Sequence, residues 1–179
     1  MGCNVALSRL RRGDTTGVAA ILASEPPMDD RLPAAEAVTT VRRGALAQAA
    51  ICGQVLRGVL AARTSAGLPQ LMRADSIMLF TPLNYADWWS YEIAVAYAHH
   101  GKYAAALSAV RRRFNDLLPL PKLVPALRDE GRWAVLAGDT ASAIRAFRHY
   151  LLWRADPEPS LIAERDSVQA ELGRLLERR

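Results

Sequence analysis

Apolar residues fall at helical spacing along most of the chain. Tyr103, Ala106, Leu107, Val110, Phe114 and Leu117 follow an i, i+3, i+4, i+7 rhythm. Ile144, Phe147 and Leu151 repeat it, and Leu161, Val168, Leu172 and Leu175 carry it through the closing segment. Runs of β-branched residues bounded by turn residues, the mark of strands, are missing. Proline and glycine cut the pattern into helix-sized pieces at Pro26-Pro27 and Pro33, at Gly67-Leu68-Pro69, at Thr81-Pro82-Leu83-Asn84, at Pro119, Pro121 and Pro125, and at Asp156-Pro157-Glu158-Pro159. The spacing predicts an all-α chain of roughly eight to ten helices. Asp139 stands where it would cap a helix starting near Thr140, and Ser160 where it would cap the last one. The most apolar stretch, 45–62, contains Gln48, Gln54 and Arg57, which fits a helix buried on most sides better than one crossing a bilayer.

Self-similarity adds the next level of organisation. Gly13-Asp14-Thr15 and Gly138-Asp139-Thr140 each close a helical stretch and are followed by small residues and then an aliphatic run. Gly101-Lys102-Tyr103 is the middle copy, followed by Ala104, Ala105, Ala106 and then Val110. The physical logic is that of a helix pair. Glycine ends the first helix because it tolerates a left-handed backbone. Small residues on the next helix let the two approach closely, and a larger apolar residue four positions on fills the remaining space.

This pattern resembles the tetratricopeptide repeat, whose signature is W-x₂-L-G-x₂-Y, then A-x₃-F, then P, over about 34 residues. Ile93, Ala94 and Tyr97 stand where L, G and Y belong, with Ala106 and Val110 as A-x₃-F. In the next unit Gly131 matches the signature glycine, and Ala143 and Phe147 match A-x₃-F. Departures are Ser90 and Leu127 for the tryptophan, Ala134 for the tyrosine and Ala155 for the closing proline. The turn glycines are 37 residues apart, with the surplus assigned to the proline-rich link. The match covers 86–155, with an echo at 5–22 and a capping helix at 159–177; residues 30–81 are helical by pattern but match no repeat. The resemblance implies a single helical-repeat domain over 1–179, with helix pairs stacked as a short right-handed solenoid. If Gly13 is a repeat turn, its first helix starts at or before residue 2, so either the first repeat is trimmed or the chain is a fragment. Residues 127–176 are also similar to the helical accessory regions of bacterial signalling proteins of the kinase or transcriptional-activator type. No kinase glycine loop, HRD or DFG is present in this chain.

Composition changes this picture little. The chain has 179 residues, enough to bury a core without staples. Half of it is hydrophobic, carried by alanine and leucine, both strong helix formers. Cys3 and Cys52 are far apart and form no CxxC pair, which reads as a terminal thiol and a buried one in a reducing, cytoplasmic compartment. The first residues hold Arg9, Arg11 and Arg12 without an apolar run long enough for a signal peptide, and Ala6 stands where a myristoylation motif needs Ser or Thr. The net charge of +5 allows an anionic partner. Lys102 and Lys122 are the only lysines, and the arginines are spread along the whole chain, so nucleic-acid binding ranks below an acidic protein partner.

The search for chemistry excludes more than it finds. The stretch from Ala96 to Tyr103 mimics the end of a phosphate loop but lacks its first glycine and the Ser or Thr after lysine. His99 and His100 point about 100° apart on a helix and have no ligating residue three or four positions away. His149 stands alone. There is no G-x-S-x-G elbow, and the pairs Asp29-Asp30 and Asp129-Glu130 read as helix-start acids. The sequence therefore predicts no catalytic residue, metal ligand or cofactor. The aromatic residues around Trp88 remain. Trp89, Tyr97 and Phe147 read as core, whereas Trp88, Tyr91 and Trp153 are the candidates for an exposed partner-binding surface. Arg111 and Arg112, in the run Arg111–Arg113, are candidates for an acidic peptide through the guanidinium fork. The function expected is a non-enzymatic protein–protein interaction module that holds a peptide or protein. The alternative is a regulatory or sensor segment of a larger signalling protein.

Overall fold

The computed structural model describes residues 2–24, 41–79, 83–112 and 120–177. Pro26, Pro27, Pro33, Arg113, Phe114, Leu117 and the side chain of Trp88 lie outside what is described. The described residues form α1 (Gly2–Arg11), α2 (Val18–Ser24), α3 (Val41–Ala61), α4 (Leu68–Leu79), α5 (Leu83–His99), α6 (Tyr103–Val110), α7 (Leu120–Leu136), α8 (Thr140–Trp153) and α9 (Ile162–Glu177). No strand occurs among them, so the chain is all-α.

The most extensive packing joins chain neighbours: α3 with α4, α5 with α6, and α7 with α8. Each pair then meets the next, α4 on α5, α6 on α7 and α8 on α9, and α5 also touches α7. At the other end α1 and α5 both pack on α3. One connected core runs from Ala6 and Leu7 to Val168 and Leu172.

All three turn glycines have left-handed backbones, Gly13 at φ +81°, Gly101 at +67° and Gly138 at +78°. They share one hydrogen-bond pattern. At Gly138, its N–H donates to the Val135 carbonyl at 3.1 Å and the Asp139 N–H to the Ala134 carbonyl at 2.8 Å. The equivalent bonds at Gly101 are 2.9 and 3.1 Å, and at Gly13 2.9 and 3.0 Å. This is the Schellman ending, which satisfies the last carbonyls of a helix and needs a residue that accepts positive φ. A Cβ at Gly138 or Gly101 would meet nothing within 4 Å, so a side chain there meets backbone strain alone. Gly138→Val should therefore lower stability by about 2 kcal/mol, read as the urea midpoint at constant slope. A melting curve matching wild type would show that the turn does not depend on glycine.

The helix starts differ more. Asp139 caps α8, its carboxylate accepting from the Ser142 N–H at 3.0 Å. Asp14 instead accepts from the Thr16 N–H at 2.8 Å, and α2 starts only after a second left-handed glycine, Gly17 at φ +76°. Ser160 lies inside a 3₁₀ turn, Pro159–Leu161, so Leu161 and not Ser160 precedes α9. Pro121 and Pro125 do not break the chain as their spacing suggests, for both lie within α7. Pro121 falls in the first turn, where its missing N–H is not needed, and Pro125 has no N–H to give the carbonyl four residues back.

The positions matched to the repeat signature are buried: Ile93, Ala94, Ala106, Ala134, Ala143 and Phe147 are all fully enclosed. Gly131 lies against the Phe147 ring so closely that a Cβ would stand 2.2 Å from Phe147 Cε1. Cys52 is a correction. It is buried in α3 but disulfide-bonded rather than a free thiol.

Candidate functional site

Tyr91 was expected at the surface, yet it is only 3% exposed. Its hydroxyl donates to Asp129 Oδ2 at 2.6 Å, and its ring lies tilted against Trp133 with centroids 6.4 Å apart. The reason is the place of α5, which packs against α3, α4, α6 and α7. Six successive residues, Trp89 to Ala94, are buried, so this stretch has no solvent face. Trp89, Tyr97 and Phe147 are in the core, as their spacing suggests. Trp153 is 44% exposed at the end of α8, where its indole N–H donates to His149 Nε2 at 3.2 Å, and Leu152 beside it is 76% exposed. These two form the apolar surface that the candidate aromatics retain.

Arg111 and Arg112 are occupied within the chain. Arg111 Nε lies 3.0 Å from Glu130 Oε1 and its terminal nitrogen 3.5 Å from Asp139 Oδ2, tying the end of α6 to α7 and to the cap of α8. Arg112 pairs with Asp75 of α4, whose other oxygen accepts from the Tyr97 hydroxyl at 3.1 Å. Burial and then the Asp75 charge push the Tyr97 phenol well above its ordinary value.

A second series of polar contacts crosses α5, α7 and α9. Lys122 Nζ lies 3.2 Å from Glu92 Oε1. Arg128 holds Asp129 at 2.7 Å and also pairs with Glu164. Arg132 grips Glu171 with its Nε 3.2 Å from both carboxylate oxygens and a terminal nitrogen 2.7 Å from one. The Tyr150 hydroxyl donates to Glu164 at 2.8 Å. Burial and this carboxylate push the Tyr150 phenol up to about 12. The basic side chains on this face are thus already matched by carboxylates, which leaves them little capacity for an acidic ligand.

These contacts set a pH dependence. Burial opposes ionisation of Glu164, but the Tyr150 hydroxyl and the Arg128 charge outweigh it and hold the carboxyl below its ordinary value. Hydrogen bonds from Ser142, and then Arg111, hold Asp139 below its own. Groups whose folded pKa is depressed contribute stability above the unfolded value and lose it as pH falls through the folded one. Urea midpoints should therefore stay level from neutral pH to about pH 5 and fall below about pH 4. Asp139→Asn keeps a capping oxygen while removing one titration, so its acid limb should be shallower. An unchanged limb would contradict the role given to Asp139.

One cavity of about 450 Å³ opens where α1, α3 and α5 converge. α5 contributes Glu92, Val95, Ala96 and His99, with His100 just beyond its end, along one face over two turns. α1 contributes Leu7 and Leu10 with Gly13 beyond its end, and α3 contributes Val59 with Ala62 and Arg63 beyond its end. Glu92 is buried, and its Oε2 has no hydrogen-bond partner. The signal for this site is a lone carboxylate in the otherwise apolar centre of α5. Because Glu92 lies seven and eight positions before the histidines, ligand spacings of three or four do not reach it. No group of three or more potential metal ligands occurs among the described residues. Nor is any described helix long and apolar enough to cross a membrane.

No protein-family model, curated protein or solved structure matches the chain.

Proposed function

We propose that the chain is a tetratricopeptide-like interaction module, one domain of helix pairs stacked as a short right-handed array, which holds a peptide or protein partner and does no chemistry itself. The observation that carries this reading is the recurrence, at Gly101 and Gly138, of one turn geometry between two closely packed helices, each pair leaning on the next. A unit of this kind cannot bury its apolar face alone, so stacking stabilises it and leaves extended surfaces for binding. The internal pairing of Arg111 and Arg112 moves the expected contact to Leu152 and Trp153, which are large, apolar and exposed. The test is quantitative co-purification of the tagged full chain from its own cells, with the Leu152→Ala/Trp153→Ala variant beside it. A stoichiometric partner retained by wild type and lost at least about tenfold from an equally stable variant is expected. No stoichiometric partner, or equal recovery with both chains, would sink the reading.

A second reading, a regulatory or sensor segment of a larger signalling protein, is favoured by the cavity among α1, α3 and α5, which a plain scaffold does not need. Nucleic-acid binding ranks lower, because Arg111, Arg112, Arg128 and Arg132 are all paired with carboxylates. A cytoplasmic location belongs to the same proposal, and the disulfide at Cys52 weighs against it, since cytosolic thiols are kept reduced. Acid-quenched labelling of the chain in its own cells separates the two. Thiols that react before reductant is added are expected in the cytoplasm, and thiols that react only afterwards indicate an oxidising compartment.

A further inference from the structure

The cavity among α1, α3 and α5 has a deep end and a mouth. His100 Nε2 hydrogen-bonds the Ala62 carbonyl, and Arg63 donates to the Gly13 carbonyl at 3.4 Å, so the three helices finish side by side. Gly13, Arg63 and His99, all at that end, are exposed, and the cavity opens to solvent there. Glu92 lies two turns back along α5, about 10 Å deeper at the rise of an α-helix, and is buried. Between the two ends the wall is made of Leu7 and Leu10 from α1, Val59 from α3, and Val95 and Ala96 from α5.

This wall offers a ligand no free charge. The Glu92 carboxylate is turned towards α7, where its Oε1 lies 3.2 Å from Lys122 Nζ. Its Oε2 is sealed inside the protein, so what Glu92 gives the cavity is its methylene stem. The Ala62 and Gly13 carbonyls are answered by His100 and Arg63. At the mouth the two signs of charge oppose one another. The carbonyl ends of three helices disfavour an anion, and the Arg63 guanidinium disfavours a cation. An ion drawn into the cavity would shed water without meeting an open counter-charge, which is costly. An uncharged aliphatic chain loses nothing of this kind and gains from each methylene that leaves water. The volume of about 450 Å³ is within the range of small-ligand sites.

We infer that this cavity binds an uncharged aliphatic molecule of medium chain length, such as an alkanol, with its chain along the apolar wall and its polar end in the water at the mouth. The inference rests on the cavity and not on the partner surface at Leu152 and Trp153, so either can fail without the other.

The experiment is isothermal titration of the full chain at neutral pH with 1-octanol, with octanoate and octylamine as charged probes of equal length. Saturable one-to-one binding of 1-octanol is expected, at least about fivefold tighter than either ion. Affinity should rise about fourfold per added carbon from 1-butanol to 1-octanol. Val95→Phe places a ring in the middle of the cavity and should abolish binding, and Val59→Phe should do the same from the opposite wall. The chain-length series needs no variant, so it keeps the test decisive if neither variant folds. No saturable binding of 1-octanol overturns the inference. So do an ion that binds as tightly as the alcohol, equal affinities for 1-butanol and 1-octanol, and binding that survives Val95→Phe in a chain that melts like wild type.

Discussion

Gly131→Ala should destabilise the chain by about 3 kcal/mol, although the same change in an exposed helix would stabilise it by about 1 kcal/mol. The new methyl would stand 2.2 Å from Phe147 Cε1 and 2.3 Å from Cδ1, separations that no Cβ tolerates. Phe147 cannot turn away easily, because its ring is fully buried between α7 and α8. Either the ring leaves its rotamer or the two helices separate, and both lose packing along the most closely joined pair in the chain. For a protein of this size the melting temperature should fall by roughly 6–12 °C. The explanation is specific enough to be rescued. In Phe147→Leu the space is available, so Gly131→Ala should cost at least about 1 kcal/mol less in that background. Equal costs in both backgrounds would mean that the glycine does not answer to the ring.

Lys122→Met should rank next, at about 3 kcal/mol, because it removes the cation from a carboxylate that water scarcely reaches. The Glu92 side chain is 2% exposed, against 18% for Lys122. The methionine retains most of the apolar stem, so the loss is chiefly electrostatic. Replacing both residues, as Lys122→Met/Glu92→Leu, should recover most of the stability, since two apolar groups then meet where two charges did. A useful contrast is the Arg9–Asp14 pair, 3.9 Å long with both side chains about two-fifths exposed. Its removal should leave the urea midpoint close to that of wild type. Urea unfolding of the three variants checks the order, and a double variant no more stable than Lys122→Met would contradict it.

The turns were legible because they depend on one residue and its immediate neighbours. Gly101 and Gly138 declare a left-handed ending locally, and both adopt it. Asp139 declares its cap in the same way. Gly131 and Phe147 each stand at a position of the signature that the chain resembles, but their meeting is visible only in the fold. What the sequence leaves open is which helix becomes central. The burial of Tyr91 and Glu92 follows from four neighbours packing on α5, and no local pattern announces that. The arginine run illustrates the same point from the surface. Arg111 and Arg112 carry the composition of an anion site, but their partners Asp75, Glu130 and Asp139 come from three other helices or caps, 19 to 37 positions away. The prolines of α7 misled for another reason. Pro121 and Pro125 read as breaks in a row of prolines, whereas the first turn of a helix accepts one freely and packing accommodates the other.

The cavity was hidden because it belongs to three helices from distant parts of the chain. Its residues on α5 lie on one helical face, yet only the meeting of α1, α3 and α5 makes that face a wall. His99 and His100 read as solvated or packing histidines at a helix end; His99 is exposed, and His100 is half-buried and contacts the Ala62 carbonyl.

The central claim is that α5 to α9 form a stacked array in which each pair is held by its neighbours. Native-state hydrogen exchange on the intact chain tests it most directly, since an array of this kind opens from its end whereas a single indivisible core opens at once. The account predicts that the amides of α9 open at a lower free energy than those of α7 and α8, and these in turn at a lower one than those of α5. One common opening free energy for all of these helices, equal to that of global unfolding, would contradict it.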